Sequence, residues 1–229
     1  MFQRYLTARS PLRLLEKGLH GGLGRGNLGL VLAAPGVGKT SFLVGVALDD
    51  LMRGKPVLHV ALEHNVQHVR DHYDTVFEEL AHSTHLENAA VVRAGLDRLR
   101  CIRSYPHGAF DAKRLCEALA LEAEVGTRPE LVVVDGLDVA QRTPAELEEW
   151  AKAARENDVE VWMAANAPNE RISVLPADLK PLAASFGVIL TLEPQPGAVA
   201  LRALKDHDNP DVAALHVALD PKTLLLVRS

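Results

Sequence analysis

Thiols are scarce. Cys101 and Cys116 are the only two cysteines in 229 residues, they form no Cys-x-x-Cys pair, and no Cys/His finger spacing surrounds them. A disulfide-stapled scaffold is thereby excluded, and a reducing cytoplasm is the expected compartment. A basic excess is also missing: 25 Lys and Arg stand against 30 Asp and Glu, a net charge of −5. That balance argues against a dedicated nucleic-acid domain. No stretch reaches the roughly 18 uninterrupted apolar residues of a membrane span. Residues Met1 to Gly18 intersperse Arg4, Arg9, Arg13 and Lys17 among apolar positions without the apolar centre of a signal peptide. The expectation is a soluble protein that stays where it is made. The 13 Pro and 16 Gly are scattered, which removes collagen-like and disordered classes. A chain of this length buries roughly 70% of its unfolded surface, enough for a core without staples.

What is present alternates. Ser10-Pro11 opens a short helix that ends at Gly18. A glycine cluster at 21–26 leads into the apolar run Leu28 to Ala34, read as a buried strand. Residues 35–41 (PGVGKTS) follow, and then Phe42 to Arg53 at helical spacing, closed by Gly54. Pro56 to Leu62 reads as a second strand, and Asn65 to Ala81 as a helix with Val66, Val69, Tyr73, Val76, Phe77 and Leu80 on one side. Ala90-Val91-Val92 and Arg100 to Arg103 each suit a short strand. Asp111 caps a helix to Glu124, Leu131 to Val134 is an apolar strand closed by Asp135, and Thr143-Pro144-Ala145-Glu146 is a capping box for a helix to about Asn157. Val159 to Ala164 and Gly187 to Leu192 are further strands. Ala198 to Lys205, Ala214 to Ala218 and Thr223 to Val227 read as an antiparallel tail, with a turn at Asp208-Asn209-Pro210. Strand–helix alternation predicts an α/β fold, a mostly parallel central sheet flanked by helices, which the tail extends. Residues 1–26 read as an N-terminal extension and lead-in, and 27–229 as one domain.

The chemistry-bearing segment is Ala33-Ala34-Pro35-Gly36-Val37-Gly38-Lys39-Thr40-Ser41, a P-loop pattern with Ala33 in place of the first glycine. Glycines let successive backbone N–H groups turn inward on an anion, and the following helix adds its positive end. In that pattern residues Ala34 to Ser41 cradle a nucleotide, Lys39 reaches its outer phosphates and the Thr40 hydroxyl ligates Mg²⁺. Asp135, closing the LVVVD strand, has the position of a Walker-B aspartate that holds the metal. An aspartate there also suits a turn by itself, so its reading leans on the P-loop. Glu63 ends the second strand, where strand C-termini face the ligand crevice, and is the candidate water-activating base.

These segments resemble RecA-like P-loop ATPases, most closely the ATPase domain of DnaB-type helicases and the KaiC-like group. GGLGRGNLGLVLAAPGVGKTSF looks like the family's lead-in and P-loop, GKPVLHVALE like its second strand with the catalytic glutamate, and ELVVVDGLD like its Walker B. VWMAANAPN sits where the family has a strand ending in a polar sensor, and LKDHDNPDVAALHVALDP looks like its C-terminal Lys-x-Arg hairpin. The resemblance implies ATP and Mg²⁺ as ligands, Glu63 activating water, Asp135 holding Mg²⁺ through water, and Asn166 sensing the γ-phosphate. It implies that Lys205 reaches the nucleotide of a neighbouring subunit in a homo-oligomeric ring. Two residues depart from the pattern: His207 stands for the hairpin's arginine, and Asn166 for the usual glutamine. A lost arginine finger can cost three to five decades of rate, so slow hydrolysis is expected unless another group such as Arg202 substitutes. The helicase's N-terminal domain and most of its linker have no counterpart here, so assembly through that linker is not implied. The expected function is a slow, regulatory ATPase acting through a protein partner; a DNA motor and a nucleotide-gated scaffold are the alternatives.

Two weaker constellations remain. His64, His68 and His72 recur at every fourth position, near His59, a spacing able to offer two ligands to one metal. The apolar residues occupy another face of that helix, which favours a solvated stripe. Basic clusters at Arg4, Arg9, Arg13, Lys17 and Arg25, and at Arg93, Arg98, Arg100, Arg103, Lys113 and Arg114, suit nucleic-acid phosphates, an acidic partner or plain surface charge. In RecA-like rings the DNA loops follow the Walker-B and sensor strands; here they offer only Arg142, Arg171 and Lys180, with Glu146, Glu170 and Asp178 beside them and no aromatic to stack a base.

Overall fold

The computed structural model describes residues 8–212 and 215–229. In chain order the elements are α1 (Leu12–Gly18), β1 (Leu28–Ala33), α2 (Lys39–Met52), β2 (Val57–Ala61), α3 (Val66–Ser83), α4 (Ala89–Leu99), β3 (Arg100–Ser104), α5 (Ala112–Glu124), β4 (Leu131–Asp135), α6 (Pro144–Glu156), β5 (Glu160–Asn166), β6 (Val188–Gln195), β7 (Ala198–Asp206), β8 (Val217–Leu219) and β9 (Leu226–Arg228). Short 3-10 turns at Val139–Gln141 and Lys180–Ser185 punctuate the loops.

The strands form one sheet in the order β3-β2-β4-β5-β1-β6-β7-β8-β9 among the described residues. The first six are parallel and the last three antiparallel, as the alternation and the tail predict. Side chains of a strand point alternately to the two faces, so each apolar strand feeds two cores. Val31 and Ala33 of β1, Leu131 and Val133 of β4, and Val188, Leu190 and Leu192 of β6 pack on one side with α1 to α4. Leu30, Leu32, Val132, Val134 and Ile189 pack on the other with α5 and α6. Because both faces are covered, the strands read as continuous hydrophobic runs rather than as alternating ones. Leu12, Leu15, Leu19 and Leu23 of the lead-in lie in the first core.

Two helix caps match their signals: Asp111 Oδ1 accepts from Arg114 N at 2.8 Å, and Thr143 and Glu146 close a reciprocal capping box, whereas the N-cap of α1 is Pro11 rather than Ser10; Asn65 Oδ1 also accepts from His68 N at 2.9 Å. One expected strand is wrong. Ala90-Val91-Val92 lies inside α4, because Ala89, Val92, Leu96 and Leu99 recur at helical spacing against the core while Val91 faces solvent. Part of the expected strand Ala214 to Ala218 lies outside the described residues, and β8 begins at Val217. No helix among the described residues is long and apolar enough to cross a membrane.

Candidate functional site

Parallel pairing places the C-terminal ends of β1, β2, β4 and β5 along one edge of the sheet. Ala33 pairs with Asn166 across β1 and β5, and Ala61 with Asp135 across β2 and β4. In such sheets the crevice at these ends is where ligands bind. It holds a cavity of about 650 Å³ lined by the 35–41 loop, Glu63, Asp135 and Asn166 among others. The four regions singled out from the sequence therefore meet.

The loop has the backbone of an anion cradle. Gly36 (φ +79°) and Gly38 (φ +115°) adopt the left-handed region that glycine tolerates. Gly38 is the N-cap of α2 and offers no side chain, so no side-chain cap occupies the first-turn amides, which leaves them as donors for a ligand. Lys39 Nζ lies 3.2 Å from the Ala33 and Ala34 carbonyls, arched across the loop. Burial pushes its pKa down, against the opposing pull of Asp135 and Glu63. The Thr40 hydroxyl donates to Asp135 Oδ2 at 2.7 Å. Burial pushes the Asp135 carboxyl up, the Thr40 bond pulls it down, and neighbouring Glu63 adds to the rise. Glu63 is exposed to the cavity, and Gly136 lies against its side chain.

These residues fit a magnesium nucleotide. The amide cradle suits phosphate oxygens, and a hydroxyl beside a carboxylate is the hard oxygen donor set that Mg²⁺ prefers. Asn166 ends β5 on the cavity wall. Lys39 is the only Lys or Arg among the described residues lining the cavity.

Lys205 is elsewhere. Its Nζ donates to the Phe186 carbonyl at 2.5 Å and to the Ala183 carbonyl at 2.9 Å, in a separate cavity beside Gly26 and Arg155. His207 is held there as well, with Nδ1 2.9 Å from Asp206 and Nε2 3.0 Å from the Leu23 carbonyl. Arg202 pairs with Glu193 at 3.5 Å.

Several arginines of the two basic clusters carry acidic partners: Arg13 with Asp49, Arg25 with Glu130 and Asp158, Arg93 with Asp74, Arg100 with Asp97, and Arg103 with Glu122. Arg4 lies outside the described residues.

The histidine run departs from a solvated stripe. His64 precedes α3 and stacks on His68, with ring centroids 4.2 Å apart. His72 is half-buried and bonds Ser41 at 3.1 Å. His64, His72 and His107 all line the cavity, as does Asp138. The fourfold spacing was the available signal for His64 and His72; His107 and Asp138 sit on loops that carry none. No group of three or more His, Cys, Asp or Glu among the described residues is placed to hold a metal by itself.

A family model described as an AAA domain matches residues 3–155, more than half of the chain. No curated protein matches the chain.

Proposed function

The chain belongs to the AAA domain family, and on that premise we propose that it is a magnesium-dependent ATPase that turns over slowly. The observation that carries this reading is the Thr40–Asp135 hydrogen bond beside Lys39 and Glu63, which sets hydroxyl, carboxylate, ammonium and a free carboxylate around one cavity. The amides of 36–41 and the Lys39 ammonium bind and orient the phosphates. Thr40 and Asp135 would hold Mg²⁺, which would supply neutralisation of phosphate charge. Glu63, free of any fixed partner, takes the proton of a water placed at the terminal phosphate. Asn166 donates its amide to the same region.

Slow turnover follows from the missing guanidinium. Lys39 alone supplies permanent positive charge among the described lining residues, whereas stabilising the transferring phosphoryl group generally takes another cation. Lys205 would serve a neighbouring subunit's nucleotide in a homo-oligomeric ring only after leaving the Ala183 and Phe186 carbonyls. That requirement suits a regulatory ATPase whose protein partner frees the hairpin. Paired arginines and the net charge of −5 weigh against a DNA motor.

Lys39→Ala is expected to abolish nucleotide binding, whereas Glu63→Gln spares binding and stops phosphate release. Calorimetry with MgATP and a steady-state phosphate assay, run with and without single-stranded DNA, check both. Unchanged turnover in Glu63→Gln would remove the mechanism, and strong DNA stimulation would favour the motor.

A further inference from the structure

One contact in the cavity wall joins two helices through polar atoms. Ser41 lies in the first turn of α2 and is 3% exposed. Its hydroxyl meets Nε2 of His72, on α3, at 3.1 Å, and both residues line the cavity. Around them α2 and α3 meet through apolar groups, among them Phe42, Val69, Tyr73 and Val76. The bond therefore sets an orientation that packing alone leaves free. A serine hydroxyl rotates to suit its partner, so its direction is decided by what it touches. The α3 helix is itself anchored next to Glu63, since Asn65 caps it. Ser104 Oγ adds a 2.8 Å bond to the His64 carbonyl.

We propose that His72 is a positioning residue of the nucleotide site: by holding the Ser41 hydroxyl it fixes the first turn of α2 in the arrangement that receives the phosphates, and it couples that turn to the helix behind Glu63. The inference rests on the nucleotide reading of the same cavity. Burial pushes the His72 pKa down, Asp135 pulls it up, and His68 and His64 add to the fall; a neutral imidazole has one N–H and one lone pair for this task. Its loss leaves Ser41 without its fixed partner, and the hydroxyl and its turn sample other directions.

The test is a double-mutant cycle on MgADP affinity, read by calorimetry and independent of turnover. A misdirected hydrogen bond to a charged phosphate corresponds to about a tenfold loss of affinity. His72→Leu is expected to show that loss. His72→Asn, polar but too short to reach Ser41, is expected to show it too, which covers the case of a leucine variant that does not fold. His72→Gln, whose amide reaches the position of Nε2, is expected to recover most of the affinity. In a Ser41→Ala background, His72→Asn should cost nothing further. Wild-type affinity in His72→Asn, or an equal loss with and without Ser41, would overturn the proposal while leaving the ATPase reading intact. Absence of any MgADP binding by the unaltered protein would remove both.

Discussion

Gly136→Ala tests the geometry of the proposed base through a residue that carries no chemistry. Gly136 follows Asp135 with φ +86°, and a Cβ there would stand 2.7 Å from Cγ of Glu63 and 3.2 Å from its backbone nitrogen. The backbone has little room to yield, because Leu62 N donates to the Asp135 carbonyl at 3.0 Å and locks the two strand ends together. The Glu63 side chain must swing aside. An alanine in the left-handed region costs about 1–2 kcal/mol, and at about 2–4 °C per kcal/mol for a chain of this size the melting temperature falls by about 2–8 °C. Displacing a catalytic group by about 1 Å costs on the order of a hundredfold in rate. The expected result is a hundredfold fall in kcat with MgATP affinity within a few-fold of wild type. Gly197→Ala is the control: with φ +80° and open space around its Cβ, it pays for the strain without touching Glu63. If Gly136→Ala loses melting temperature but keeps its turnover, Glu63 is not the group the chemistry uses.

Other consequences are simpler. Burial holds the His59 pKa down at about 3, against an ordinary 6.5 in the unfolded chain. The folded state thus binds fewer protons, so stability is complete above pH 6.5 and is lost as pH falls towards 3, by about 2 kcal/mol at pH 5. Urea midpoints at pH 7.5 and 5.0 should differ less in His59→Gln than in wild type, and an undiminished gap would assign the acid sensitivity elsewhere. Burial raises the Asp135 pKa, so its charged form costs the free protein stability at neutral pH. Asp135→Asn should melt higher than wild type without ligand yet gain less from MgATP; a variant that keeps its full magnesium-dependent gain would take Asp135 out of the cation site. Finally, a Cβ on Gly38 would stand 2.5 Å from Cδ2 of Leu219, which places β8 against the phosphate loop. Leu219→Ala, at a cost of about 2–5 kcal/mol, should weaken nucleotide binding as well as lower the melt, and affinity at the wild-type level would show that β8 does not brace the loop.

What could be read from the sequence was local. Leu28 to Ala33 and Leu131 to Asp135 announce themselves because a strand covered on both faces must be apolar throughout. The glycines of the loop are legible because few other residues accept their φ values. Partners in space are not written in this way. Val91 and Val92 have strand-forming side chains, yet the 89, 92, 96, 99 pattern placed them on a helix, since packing outweighs propensity. The sequence marks Lys205 as a long cation, but the carbonyls of Ala183 and Phe186 that hold it come from a loop with no recognisable pattern. His72 shows the same limit from the other side. Its fourfold spacing with His64 and His68 suggests a shared outer face, but α3 starts only at Val66 and turns His72 inward to Ser41. A regular spacing fixes which residues share a helix face; whether that face meets water or another helix is decided by the sheet order. Here β4 and β5 stand between β2 and β1, yet α3 packs against α2, and that contact, which no spacing announces, turns His72 away from water.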